Sequence, residues 1–174
     1  MDEMIDALNM RNMKNDLDWI VFSQVNEWIK FADMKATALL AIGGVLGGLL
    51  VSSAPVSSSH GVRQILFIAA VISVVLSTLM SLFALLPRLG RSTELTSLIY
   101  FDHVARRFAG DRDRFVVAFA AAVEDAAAMR AEIAAQIWAN SVVAQRKFRG
   151  LTYATWLVGA AMVLAGLTAL IPHT

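Results

Sequence analysis

Eight polar side chains have the chemistry to hold an anionic small molecule. They are Asn26, Asp33 and Lys35 in one amphipathic segment, Arg106 and Arg107 in a second, and Arg130, Gln136 and Asn140 in a third. A guanidinium offers a planar fork of donors to a phosphate or carboxylate, and a side-chain amide pairs donor with acceptor. Turned inward in a helical bundle, these residues would form a ligand site. Taken singly, each has a plainer reading. Asp33 and Lys35 can pair with neighbours such as Lys30, while Arg146, Lys147 and Arg149 are accounted for by topology and anionic headgroups. Catalysis is poorly supported. His60, His103 and His173 have no His or Cys at i+3 or i+4, and the chain has no cysteine. No phosphate-binding loop, nucleophile elbow or zinc-protease motif occurs. Glu124, Asp125 and Glu132 beside Arg130 read as a solvated helix face. Neither an enzyme nor a metal site is expected.

The elements that must position these residues are dominated by apolar runs. Hydrophobic residues make up 57% of the 174-residue chain and charged residues 17%, with a mean hydropathy of +0.61. The excess sits in three uncharged runs, 36–54, 64–86 and 151–170. As helices these are about 28 to 35 Å long, which matches a hydrocarbon core of about 30 Å. Lipid offers the backbone no hydrogen bonds, so the runs must be helical. The net charge of +1 gives no basis for nucleic-acid binding. The start, MDEMIDAL, lacks a basic n-region and an apolar h-region, so a cleavable signal peptide is not expected.

Basic residues set the expected orientation. Arg11, Lys14, Lys30 and Lys35 precede the first run, only Arg63 lies in the 55–63 loop, and ten basic residues lie in 87–150. The N-terminus and 87–150 are therefore expected on the cytoplasmic side of a bacterial inner membrane, with 55–63 and the C-terminus outside. The fold class is an all-α membrane protein. Its segments are an N-terminal cytoplasmic helix over 1–35, a transmembrane hairpin over 36–86 (spans 36–54 and 64–86), a cytoplasmic helical segment over 87–150, and a third span over 151–171.

In residues 15–35 the stripe Leu17, Ile20, Val21, Gln24, Trp28 and Phe31 follows helical spacing, with Gln24 its one polar entry. The stripe reads as core contact with another cytoplasmic helix, and the helix is expected to run unbroken into the first span. Pro87 should end span two, and Ser92 or Thr93 should cap a short helix over 93–109. After the turn at 110–113, Asp111 or Asp113 should cap a helix over 114–149. Gly150 offers a break or hinge before span three. The N-terminal helix and the 92–149 helices would then form a small cytoplasmic bundle. Within the spans, Gly43/Gly47 and Gly44/Gly48 form two overlapping GxxxG patterns, and Ser73, Ser77 and Ser81 line one face of span two. Small residues four apart let helices approach closely. Packing within one subunit and self-association between subunits both satisfy the pattern, and a homo-oligomer is expected. A serine-faced pore would lack any charged filter.

The segment 31–40, FADMKATALL, at the foot of the first span resembles the transmembrane effectors of the pyrimidine cyclase (Pycsar) antiphage systems. Residues 100–105, YFDHVA, resemble an aromatic motif after span two, and 136–149, with Lys147 ahead of the last span, resembles the end of the long helix. The order is similar over about residues 17–170. The resemblance implies an effector that senses cyclic UMP or cyclic CMP, the diffusible product of a partner cyclase. It would then impair the inner membrane and cause abortive infection. The nucleotide would be an activating ligand rather than a cofactor, and the resemblance transfers no ligand residue to this chain. No β-barrel nucleotide-binding domain is evident, so the helical bundle would have to sense it. The alternative function is a constitutive membrane adaptor or assembly protein that docks a soluble partner through the same bundle.

Overall fold

The computed structural model describes residues 2–53, 61–86 and 97–171, with side chains from residue 16 onward in the first stretch. Most of the 55–63 loop, the stop at Pro87, the cap at Ser92 or Thr93, His60 and His173 lie outside the described residues. Those described contain five helices and no strand: α1 (Asp2–Ser52), α2 (Val62–Leu85), α3 (Phe101–Arg107), α4 (Arg112–Glu124) and α5 (Ala126–Leu170). Three helices are long and apolar enough to cross a membrane. α1 is continuous, as its lack of proline allows. α2 ends where Leu86 turns extended at ψ 126°, the conformation that the ring of the next residue, Pro87, favours.

Two expectations for the 114–149 helix need correction. The helix breaks at Asp125, with φ −92° and ψ 89°. The Asp125 carboxylate accepts from the N–H groups of Ala127 and Ala128, both at 3.0 Å. Its carbonyl takes the Met129 N–H. Asp125 is thus the N-cap of α5, and a capping aspartate needs neither glycine nor proline beside it to restart a helix. The break expected at Gly150 does not occur, because α5 runs through it. A single helical glycine costs about 1 kcal/mol relative to alanine, too little to interrupt a packed helix. The cap expected at Asp111 or Asp113 falls on Asp111, which accepts from Arg114 N–H at 3.0 Å. Gly110, at φ +77°, supplies the left-handed turn just before it. The short helix is narrower than expected, covering only Phe101–Arg107.

The chain divides into two compact units, residues 1–29 with 87–144 and residues 30–86 with 145–174. Helices α1 and α5 contribute to both. The second unit holds the apolar runs together with the 30–35 and 145–150 segments, which the sequence reading assigned to the cytoplasmic part.

In the second unit the buried residues of each helix recur at alternating spacings of three and four, the signature of a heptad seam. α1 presents Ala32, Ala36, Leu39, Gly43 and Leu50, and α2 presents Ala70, Val74, Ser77, Ser81 and Ala84. α5 presents Leu151, Ala154, Val158 and Ala161. They form two clusters of mostly small residues. Ala32, Ala36, Ala70, Ala154 and Ala161 are fully buried, which lets backbones approach closely. Large residues such as Val45, Ile65, Phe83 and Trp156 point outward, as a lipid-facing surface requires.

In the first unit the inward seam of α1 is Asp18, Phe22, Val25 and Ile29, with Asn26 beside it. The stripe expected to form the core lies one residue away and is exposed: Leu17 is 57% accessible, Ile20 60% and Trp28 49%. Two apolar heptad registers compete on one helix, and the adjacent one takes the core. Ile133, Phe108 and Ala144 are buried in this unit.

Candidate functional site

The eight candidate ligand residues divide between the two units. Asp33 and Lys35 belong to the second unit, and the other six to the first.

In the second unit the motif FADMKA is a helix clamp. Ala32 and Ala36 are fully buried, and their small size brings α1 close to α5. Asp33 forms an ion pair with Lys147. The Lys35 ammonium sits 4.7 Å from the Phe31 ring centroid and 5.8 Å from that of Phe148, within cation–π range of both. The two rings lie 6.4 Å apart. Asp33, Lys35 and Lys147 are thereby engaged with one another's helices. Neighbours such as Lys30 were the expected partners of Asp33 and Lys35; the structure adds Phe31, one turn before Lys35, and two partners far off in sequence, Lys147 and Phe148.

In the first unit the remaining candidates fall into pairs. Arg130 Nε donates to Asp18 Oδ2 at 2.7 Å, joining α5 to α1. Asn140 Nδ2 donates to Asn26 Oδ1 at 2.8 Å, joining the same two helices. On α3, Arg106 pairs with Asp102 one turn earlier, and Arg107 stacks 5.1 Å from the Phe108 ring centroid.

Gln136 belongs to a cluster whose centre is Ser97. This serine is buried. Its hydroxyl donates to Glu132 Oε1 at 2.8 Å and lies 3.0 Å from the donating Gln136 Nε2. The N–H groups of Ile99 and Tyr100 also point at the Ser97 oxygen, at 3.2 and 3.0 Å. Leu98 N–H donates to Glu132, and Ser97 N–H donates to His103 Nδ1 at 3.4 Å. Glu132 is therefore a structural acceptor for the 97–100 turn rather than a solvated surface charge. Sequence reasoning missed Ser97 and the roles of Glu132 and His103. A serine two and three residues before Ile99 and Tyr100 is a turn-forming signal, whereas its partners on α5 are legible only in three dimensions.

Next to the Asp18–Arg130 pair lies a groove of about 190 Å³, lined by Asp18, Trp19, Val123, Ala126, Met129, Arg130 and Ile133. It has an aromatic face, an apolar floor and one guanidinium at its edge. Trp19 and Met129 are additions that the sequence reading did not make. Among the described residues no cluster of His, Cys, Asp or Glu could hold a metal ion.

The packing residues of the spans are sorted by the geometry. A Cβ on Gly43 would lie 2.6 Å from Thr78 Oγ1, and one on Gly47 would lie 3.8 Å from Val74. The Gly43/Gly47 pair is thus used within the chain, against α2. Gly44 and Gly48 face open space. Ser77 is fully buried and donates to the Ala154 carbonyl of α5 at 2.8 Å. Ser81 is also fully buried. Ser73 instead bonds the Ala69 carbonyl of its own helix. Ser77 and Ser81 therefore pack inside one chain and are not available to line an opening between copies.

These features define a three-span, all-helical membrane protein that carries a polar-paired helical unit on the same helices. A model of the Pycsar effector protein domain matches residues 18–172, and the chain belongs to that family of antiphage defence effectors. The chain is 31% identical over 133 residues to the Pycsar effector protein PtPycTM of Propioniciclava tarda, covering 75% of this chain and 66% of that protein. It is 30% identical over 82 residues to SaPycTM of Staphylococcus aureus, covering 47% and 51%. With MePycTM of Micromonospora echinofusca it shares 44% identity over 48 residues, 28% of this chain and 81% of the relative. The matched stretches thus span about two thirds and half of the first two relatives. No solved structure matches the chain.

Proposed function

We propose that this effector binds a cyclic pyrimidine mononucleotide, cyclic UMP or cyclic CMP, and in response impairs the bacterial inner membrane. A partner cyclase would supply the nucleotide as a diffusible product. The first unit, with the N-terminus and 87–150, faces the cytoplasm in this reading, as the distribution of basic residues favours.

The observation that carries the proposal is the groove beside Arg130. At about 190 Å³ it is smaller than the usual ligand pocket of about 300 to 1,000 Å³. It suits a single pyrimidine ring stacked on Trp19, with ribose and phosphate left outside. Arg130 and Asp18 keep 44% and 30% of their side-chain surfaces accessible, so an incoming phosphate can compete with the Asp18 carboxylate for the guanidinium. A nucleotide acts only through its difference in affinity between two states. Exchanging an Asp18–Arg130 link between α1 and α5 for a phosphate–Arg130 contact is such a difference.

Calorimetric titration of the detergent-solubilised protein with cyclic UMP, cyclic CMP, cyclic AMP and cyclic GMP tests binding. One pyrimidine nucleotide should bind, and Trp19→Ala and Arg130→Ala should each weaken it at least about tenfold, near 1.4 kcal/mol. Dye entry into expressing cells tests the membrane step. Absence of heat with all four nucleotides, or an intact membrane under saturating nucleotide, rejects the proposal.

A further inference from the structure

We propose that the exposed stripe Leu17, Ile20, Val21, Gln24 and Trp28 of α1 is a docking surface for the same stripe of a second copy of this chain, forming a parallel, in-register helix pair. The inference goes beyond nucleotide sensing and stands without it.

The stripe has the spacing such a pair needs. Leu17, Val21, Gln24 and Trp28 are separated by four, three and four residues, the a/d repeat of a coiled coil. It is distinct from the inward seam Asp18, Phe22, Val25 and Ile29, which lies one residue further along. α1 therefore carries two adjacent heptad seams in its first unit, one turned inward and one largely exposed. Leu17, Ile20 and Trp28 keep about half or more of their surface accessible, and Val21 keeps 40%. Together they form a contiguous apolar patch, and the largest such patch on a soluble monomer is often an interaction site. Lipid is a poor cover, because Asp16, Asp18, Glu27 and Lys30 are interleaved with the stripe, and charges are costly in the bilayer.

Gln24 identifies the occupant. In a parallel pair without register shift, Gln24 lies opposite Gln24 of the second copy, and the two amides satisfy each other's donors and acceptors. An antiparallel or shifted pair sets it against Leu17, Val21 or Trp28 and leaves an amide unpaired at an apolar seam. A single polar residue at a core position of a coiled coil selects register in this way. The three spans supply the remaining condition. Copies threaded through one bilayer in one orientation hold their α1 helices parallel, and confinement to the membrane raises their effective concentration.

The absence of cysteine makes the test clean. Gln24→Cys and Ser23→Cys variants of the full chain each carry one thiol, the first on the stripe and the second facing away from it. Isolated membranes are treated with copper phenanthroline and run on non-reducing gels. The expected result is a band of twice the chain mass for Gln24→Cys and none for Ser23→Cys. Adding Val21→Glu to Gln24→Cys should remove the band while the amount of chain in the membrane stays the same. Equal bands at both positions, no band at Gln24→Cys, or a Gln24→Cys adduct with a protein of another mass would each overturn the inference.

Discussion

The two units of this chain solve the same problem with opposite materials. The second unit joins helices through alanine, glycine and serine, and one interhelical hydrogen bond, Ser77 to the Ala154 carbonyl, crosses its buried seam. The first unit joins helices through polar pairs, Asp18–Arg130, Asn26–Asn140 and the Ser97–Glu132–Gln136 cluster. The difference follows from solvent. Against lipid tails there is no hydrophobic gain in bringing apolar helices together, so close backbone packing has to hold them. In water apolar burial drives assembly and polar pairs select one arrangement among many. The clamp Asp33–Lys147 with Lys35, Phe31 and Phe148 brings charged groups against a helix seam of the second unit, at the foot of the span where water is within reach.

The largest effect that would break this comparison is expected from a bulky residue in the small-residue seam. Ala154 is fully buried, and Ala154→Leu should force α2 and α5 apart and strain the Ser77 bond. Overpacking of this kind costs about 3 kcal/mol. Denaturation in detergent should show it as a lowered midpoint, while Ala160→Leu, at an exposed position of the same helix, should leave the midpoint unchanged. Equal midpoints for the two variants would mean that the seam is not closely packed.

A smaller loss is expected in the first unit. Ser97→Ala removes the hydroxyl shared by Glu132, Gln136 and two backbone N–H groups, and leaves part-buried partners short of a hydrogen bond. A cost of about 2 kcal/mol is expected. Hydrogen exchange should show it as faster exchange at Ile99 and Tyr100, with the amides of residues 151–168 unaffected. A loss of protection spread equally over both sets would contradict the division into two units.

The smallest effect sharpens the reading of the glycines. Gly43→Ala places a Cβ against Thr78 Oγ1 and should destabilise by about 1 kcal/mol. Gly43→Ala with Thr78→Ala should recover most of it. Gly44→Ala meets open space and should be neutral or slightly stabilising, because alanine is the better helix former. Indistinguishable thermal midpoints for Gly43→Ala and Gly44→Ala would mean that neither glycine pair contacts α2.

Much of the architecture was legible one residue at a time. Hydropathy located three apolar runs, each of which lies on a helix long and apolar enough to cross a membrane, since transfer into lipid sums along the chain. The Asp111 cap was legible because an N-cap bond reaches only three residues. Asp125 carried the same local signal, but it sat inside an alanine-rich run whose helical propensity argued for continuity. The candidate site was harder. Each of the eight polar candidates makes a contact within its own unit, in pairs or small clusters, and Ser97 and Trp19 were overlooked. Pairings such as Asp33 with Lys147 join residues 114 apart, and no spacing rule extends that far.

The amino-acid order by itself thus determined that this is an all-helical chain with three apolar spans and charged flanks, because those properties add up locally. Tertiary structure decided which of two heptad seams on α1 turns inward and which of two overlapping glycine pairs meets α2. In each case the alternatives lie one residue apart on one helix, so a rotation of about 100° exchanges them. Only the helices packed alongside can select between them.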